Sequence, residues 1–353
     1  MDTRDSNTDH ASSEAALAPL AGDNITNNQH GSPQKRLPGP WRESLRRLRR
    51  DRRAMLSLYI IAFFIALPLI GPPIYQHIGA AHPSGANGES GPEVYHNAYH
   101  AEFTHLDEGP SARYWLGTDN IGRDILARLM QGMLISLVVA IAVEIINVVL
   151  GLAIGTLAGF SGGWLDQVLA RFTDVMFAFP GLLFAILLTG IFGASADTLF
   201  SKIPLIGGNG NARLILVALA IALTNWPLMA RFVRGQTLQL KQQQFVEAAR
   251  TTGTPDLAII LRHIIPNLFS IVVVAATLDI STTIIGEAGL SFLGLGVQPP
   301  GSSIGLMIND ATTRIDTHPW EVLVPSIVLT LIVLAFSFLG DGLRDAFDPR
   351  SKD

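Results

Sequence analysis

Six apolar runs, each close to the length of a bilayer crossing, limit this chain more than any other feature. They occupy residues 55–75, 134–160, 175–192, 214–232, 268–288 and 322–339. A helix rising about 1.5 Å per residue needs about 20 apolar residues to cross the hydrocarbon layer. Lipid offers no partner to a backbone N–H or C=O, so runs of this length read as helices, whose backbone groups bond internally. Composition agrees: 48% of the residues are hydrophobic, 15% are charged, and the mean hydropathy is +0.35. The predicted fold class is an all-α integral membrane protein with six transmembrane helices.

Charge sets the expected orientation. The stretch WRESLRRLRRDRR at 41–53 carries seven Arg against Glu43 and Asp51 and leads directly into the first run, so 41–76 reads as a basic amphipathic flank plus the first helix. A cleaved signal peptide is the competing reading, and the run is long and late for one. Arginine-rich flanks stay in the cytoplasm, and an even number of crossings returns the chain there, so both termini are expected inside. Two loops test this. Residues 77–133 hold Glu89, Glu93, Glu102, Asp107, Glu108, Asp119 and Asp124 against Arg113, Arg123 and Arg128, as suits an extracytoplasmic loop. Residues 233–266, with Arg231 just before them, hold Arg234, Lys241, Arg250 and Arg262 against Glu247 and Asp256, as suits the inside. The ends, 1–40 and 342–353, are read as cytoplasmic tails; the first is poor in large apolar residues and is expected to be disordered. The net charge of −4 and the absence of one long basic stripe argue against a nucleic-acid partner. Lack of cysteine excludes thiolate chemistry, disulfides and Cys-ligated metals.

Local patterns refine the core at 134–341. Gly151, Gly155 and Gly159 recur every four residues and share one helix face, where another helix can approach closely. Pro227 is expected to kink the fourth crossing. The stretch FVEAARTTGTPDLAIILRHIIPN at 245–267 interrupts the apolar pattern. Gly253 suits a helix end, and Thr254, Pro255 and Asp256 suit the start of another, so this is an ordered helical hairpin. Leu257, Ile260, Leu261 and Ile264 are expected to form its apolar stripe. Physics alone leaves two readings open: a hairpin lying on the membrane surface, or a docking element whose small Ala248 and Ala249 flank the single carboxylate of Glu247.

The succession Glu247-Ala248-Ala249, then Gly253, then Ile265-Pro266 resembles the EAA loop of permease subunits in ATP-binding-cassette importers. LGTDNIGRD (116–124), GFSGGWLDQ (159–167), LSFLGLGVQPP (290–300) and FLGDGLRDAFDPR (338–350) resemble the C-type permease of oligopeptide and dipeptide importers. The resemblance implies a type I importer permease in a bacterial inner membrane, paired with a homologous second permease, two cytoplasmic ATP-binding-cassette domains and an extracytoplasmic solute-binding protein. The cargo implied is a peptide; nickel, glutathione or another small solute is the alternative on the same scaffold. Glu247, Ala248, Ala249 and Gly253 would form the coupling helix that seats on the ATPase. The chain would bind no cofactor, with ATP and Mg at the partner subunits.

The residues support a non-catalytic reading. A phosphate loop ends in Gly-Lys-Ser/Thr, and Lys35, Lys202, Lys241 and Lys352 never follow glycine. Asp119 with Arg123, and Asp124 with Arg128, are spaced as helix pairs, so the outer loop is expected to contain an amphipathic helix. Gly159-Phe160-Ser161-Gly162 matches the GxSG stretch of intramembrane serine proteases, a rival of another class, but no other crossing supplies a histidine base. His96, His100 and His105 raise the question of a metal site, against the plainer reading of a polar loop. A stand-alone channel or carrier is the remaining rival, and it would have no use for a docking hairpin.

Ionisable residues within crossings usually face a cavity or a partner. Glu144, Asp279 and Glu287 qualify. The first two sit near mid-membrane, where a carboxylate pair would meet a peptide ammonium; the alternative is a hydrogen-bonded packing contact. Asn225, Trp226, Met229, Thr277, Ser281 and Thr282 are the softer candidates for the substrate path.

Overall fold

The computed structural model describes residues 40–79, 96–200, 202 and 212–347. The expected disordered tail, apart from Pro40, lies outside the described residues. Helix α1 (Pro40–Leu48) carries Arg46 and Arg47 in its last turn, and α2 (Arg52–Gly79) is the first crossing. The second is α3 (Ile125–Ser161), followed by α4 (Gly163–Ala178), α5 (Gly181–Phe200) and α6 (Arg213–Leu240). The hairpin is α7 (Gln244–Thr251) and α8 (Asp256–Ile259), and a π-helical turn (Ile260–Ile264) runs from it straight into α9 (Ile265–Phe292). Helix α10 (Ile304–Thr312) precedes the last crossing, α11 (Pro319–Phe347). Among the described residues there is no β-strand, and six helical stretches are long and apolar enough to cross a membrane.

Two apolar clusters hold the crossings together. One joins Ile61 and Phe64 of α2, Leu129, Met133 and Leu137 of α3, Ile284 of α9, Met307 of α10 and Phe336 of α11. The other joins Val139 and Val143 of α3 to Ala185 of α5 and to Val217 and Ile221 of α6. The glycine face of α3 lies against α6. A Cβ on Gly155 would stand 2.6 Å from the Ala230 carbonyl oxygen and 2.8 Å from Val233 Cβ, so only glycine allows this approach. Helix α6 continues through Pro227.

Three expectations need correction. The third crossing is not 175–192: the chain breaks at Phe179, whose backbone is extended, and the crossing is Gly181–Phe200. Proline cannot donate to a continuing helix and restricts the residue before it, so Phe179-Pro180 ends α4 although the run 175–192 is apolar on both sides of it. The described part of the outer loop contains no amphipathic helix. Gly117 and Gly122 take positive φ (82° and 78°), and a Cβ on Gly122 would collide with the Glu102 backbone, so 116–124 folds as turns. Finally, the segment assigned to a tail from residue 342 continues α11 to Phe347, and Gly342 within it packs on Ala54.

The outer loop is held by ions and not by helix periodicity. Asp124 caps α3 through Oδ1, which accepts from the Leu126 and Ala127 amides at 2.8 and 3.2 Å. Arg128 does not pair with Asp124: it reaches Asp119 at 2.6 Å and Asp310 of α10 at 2.8 Å. Arg123 joins the same two carboxylates at 2.8 and 3.4 Å. Asp119, Arg123 and Arg128 are all buried.

Candidate functional site

The hairpin begins where α6 ends. Lys241 to Gln243 form a short turn that separates α6 from α7. Gly253, at φ +77°, reverses the chain, and the Thr254 amide bonds back to the Ala249 carbonyl at 3.1 Å, closing α7 as a glycine-dependent cap does. Glu247, Ala248 and Gly253 are exposed, while Ala249 is half-buried. The carboxylate and its small neighbour thus stand outward on a turn with a fixed shape.

What fixes it lies beneath. Val246, Ile259, Ile260 and Ile264 are buried with Phe160 of α3, Met229 and Val233 of α6 and Leu268 of α9. The expected stripe is thereby corrected: Ile260 and Ile264 face inward, but Leu257 and Leu261 are 65% and 56% exposed. Ile259, immediately before the π-helical turn, and not Leu257, lies on the inner face. Phe160 is the buried residue under the hairpin that sequence reasoning missed. Its carbonyl accepts a hydrogen bond from Lys241 Nζ, and its ring lies 5.6 Å from that ammonium and 5.1 Å from the Arg250 guanidinium. Nearby, Arg234 grips Asp166 through two bonds of 2.6 and 2.8 Å and holds that carboxyl below the usual carboxylate range. The buried side of the hairpin is therefore packed on α3, α6 and α9 at once.

The mid-membrane candidates separate into two groups. Asp279, Thr282 and Asn225 line one cavity of about 360 Å³ between α5, α6 and α9, with Thr224 beside them and Phe177 and Leu228 in its apolar wall. Asp279 Oδ2 accepts from Asn147 Nδ2 at 3.1 Å, and the same amide lies 3.5 Å from Glu144 Oε2. Glu144 and Asn147 are buried, and Glu144 Oε1 and Asn147 Oδ1 accept no hydrogen bond among the described residues. Asn147 was not singled out in the sequence, although it lies one turn from Glu144 on the same helix.

The other candidates pack. Glu287 is fully buried and accepts from Ser136 and Ser291 at 2.6 and 2.7 Å. Ser281 donates to the Val333 carbonyl of α11 at 3.3 Å, and Thr277 to the Val273 carbonyl of its own helix at 2.8 Å. Trp226 is buried and stacked on Phe172, and Met229 covers Gly151.

The outer histidines turn to separate carboxylates: His96 to Asp124 at 2.8 Å, His105 to Glu108 at 2.5 Å and His100 to Glu102 at 3.7 Å. Asp107, His318 and Glu321 do converge, but Arg314 bonds Glu321 at 2.6 Å and lies 3.5 Å from Asp107, so a guanidinium already serves the two carboxylates. Ser161 is exposed at the end of α3, and Gly162 and Gly163 after it both take positive φ; GxSG here is the α3–α4 turn.

Comparison with known proteins agrees with this layout. Residues 151–353 match the family of the binding-protein-dependent transport system inner membrane component, and residues 39–85 match the N-terminal membrane domain of oligopeptide transport permease C. The chain belongs to this permease family. It is 37% identical over 89% of its length to the glutathione transport system permease GsiD of Pectobacterium atrosepticum, covering 92% of that protein. It is 34% identical over the same share to the dipeptide transport system permease DppC of Alkalihalophilus pseudofirmus, covering 91% of it. An inward-facing form of the MetNI methionine ABC transporter overlays 62% of this chain and 95% of its own at 18% identity and a TM-score of 0.48, a likeness too distant to add to the sequence match. This permease is a multi-pass inner-membrane subunit of an ABC importer.

Proposed function

We propose that this permease forms half of a translocation path for small peptides, including glutathione, with a homologous second permease completing it. A solute-binding protein delivers the cargo from outside, and two ATP-binding-cassette domains on the cytoplasmic side bind ATP and Mg and supply the work. The chain itself is non-catalytic. Its termini and the α7–α8 hairpin face the cytoplasm, as supported by the arginines of α1 and the basic excess around the hairpin. The cargo reading rests on the names of relatives that cover most of this chain.

One observation carries the coupling role: an exposed Glu247-Ala248 surface is mounted on an anchor of buried residues shared by three helices. A surface-lying hairpin would bury its apolar side in lipid, whereas here that side is occupied by the protein's own core. Leu257 and Leu261, exposed on the second arm of the hairpin, add an apolar rim suited to an ATPase groove. Closure of the ATPases on ATP moves the rim, and the shared anchor passes that movement to α3, α6 and α9. Glu247→Arg tests the reading. The variant should insert and keep its second permease while losing co-purification with the ATPase subunits; retained co-purification and uptake would reject it.

A further inference from the structure

We propose that Asp279, Asn147 and Glu144 form a site for the protonated amine of the cargo. This deepens the peptide-importer reading and rests on it. The site begins with an imbalance of donors and acceptors. Glu144 and Asp279 bring carboxylate oxygens only, and the donors that reach them are the Asn147 amide, at 3.5 and 3.1 Å, and the Thr282 hydroxyl. That hydroxyl lies 2.8 Å from both Asp279 Oδ1 and the Asp279 carbonyl, and it has one hydrogen to give. Glu144 Oε1 and Asn147 Oδ1, both on side chains more than nine-tenths buried, are left without a donor among the described residues. The cluster is short of N–H groups and of positive charge.

The neighbouring helices do not supply that charge. Arg213 is bound to Asp197, Arg231 to Asp174 and Arg234 to Asp166. A carboxylate pair at membrane depth needs a countercharge; no ion pair to it is present among the described residues, and a proton or a ligand would supply one. The shape of the site favours the ligand. Asp279 and Thr282 open on the cavity of about 360 Å³, where Asn225 of α6 offers another amide oxygen, so an incoming –NH3+ would find acceptors from two helices for its three hydrogens. Glu144 stands behind, in contact with both Asn147 and Asp279, and does not line the cavity. The apolar wall of Phe177 and Leu228 suits the cargo's aliphatic part.

Three cations fit a pair of carboxylates: an ammonium group, a sodium ion and a shared proton. The test is uptake of labelled L-alanyl-L-alanine and of glutathione by the intact complex with its binding protein in proteoliposomes, for wild type, Asp279→Asn and the double variant Glu144→Gln, Asp279→Asn. Both variants keep the shape of the side chains and remove the charge. The amine site predicts that uptake of each probe falls roughly tenfold to a hundredfold, as expected for loss of a charge-assisted contact, while the complex still assembles with the same thermal midpoint. Replacing sodium with choline should leave the wild-type rate unchanged. Unchanged uptake in the double variant would assign the pair to a shared proton and overturn the proposal. A sodium requirement, or uptake lost only together with assembly, would overturn it too. If the wild-type complex takes up neither probe, the peptide-importer reading fails and this site fails with it.

Discussion

Replacing Phe160 with alanine should loosen the coupling hairpin without altering its exposed face. The ring is 2% exposed and sits in the cluster that buries Val246, Ile259, Ile260 and Ile264, with Lys241 and Arg250 over it at 5.6 and 5.1 Å. Truncating a buried phenylalanine costs about 3–5 kcal/mol, and each partly exposed cation–π contact is worth about 0.5–1 kcal/mol. The same ring atoms serve both effects, so the lower figure of about 3 kcal/mol is the safer one for local opening, equivalent to a rise of roughly 150-fold in the opened fraction. Amide hydrogen exchange on the purified complex reads this directly. Exchange should accelerate by about two orders of magnitude across residues 244–254 and stay unchanged in α2 and α10, and cargo-stimulated ATP hydrolysis should fall with it. Phe160→Leu, which keeps apolar bulk and loses the ring, should lie between. Equal exchange in the hairpin, or an equal rise throughout the chain, would refute the anchoring role.

Other consequences follow from the packing. Gly155→Val should force α3 from α6 and cost about 1–3 kcal/mol, seen as a lower thermal midpoint, whereas Gly190→Ala, with nothing within 4 Å of the added carbon, should not lower it. Asp119→Ala leaves the buried Arg123 and Arg128 only Asp310 to share, and breaking such a network costs about 3–5 kcal/mol; the midpoint should fall, while Asp310→Ala, whose carboxylate is a quarter exposed, should cost less. Because Arg234 lowers the Asp166 titration, this tie stabilises the fold above the ordinary carboxylate pKa of 3.8 and is lost as the pH falls through the lowered value. Stability profiles below about pH 4 should therefore be steeper for wild type than for Asp166→Asn.

The parts of this fold legible in the sequence are those set by local chemistry. Apolar length gave the six crossings, and positive-φ Gly253 with Pro255 gave the hairpin. The failures share a physical cause, since each depends on what the segment packs against. The apolar run 175–192 looks continuous, but Phe179 takes an extended backbone before Pro180 and divides α4 from α5. Asp119, Arg123, Asp124 and Arg128 have helical spacing, yet Gly117 and Gly122 sit against the backbone of Glu108 and Glu102, where no helix fits. The inner face of the hairpin takes Ile259 in place of Leu257 and Leu261, because burial there is set by Phe160, Val233 and Leu268 packed against it. Charge at mid-membrane was visible as Glu144 and Asp279, but Asn147 joins them only through the contact of α3 with α9. Glu287 looked the same in sequence and proves to be satisfied by two serines.

The account turns on where the motor docks, and the absence of cysteine makes that directly measurable. Ala248→Cys places a single thiol on the exposed face of the hairpin, and Ser111→Cys places one on the exposed outer loop. Treating the purified complex with a short thiol-to-amine cross-linker should join the chain to the ATPase subunits from position 248 and not from position 111. Cross-linking from the outer loop instead, or none from 248 while the ATPases remain bound, would contradict the account.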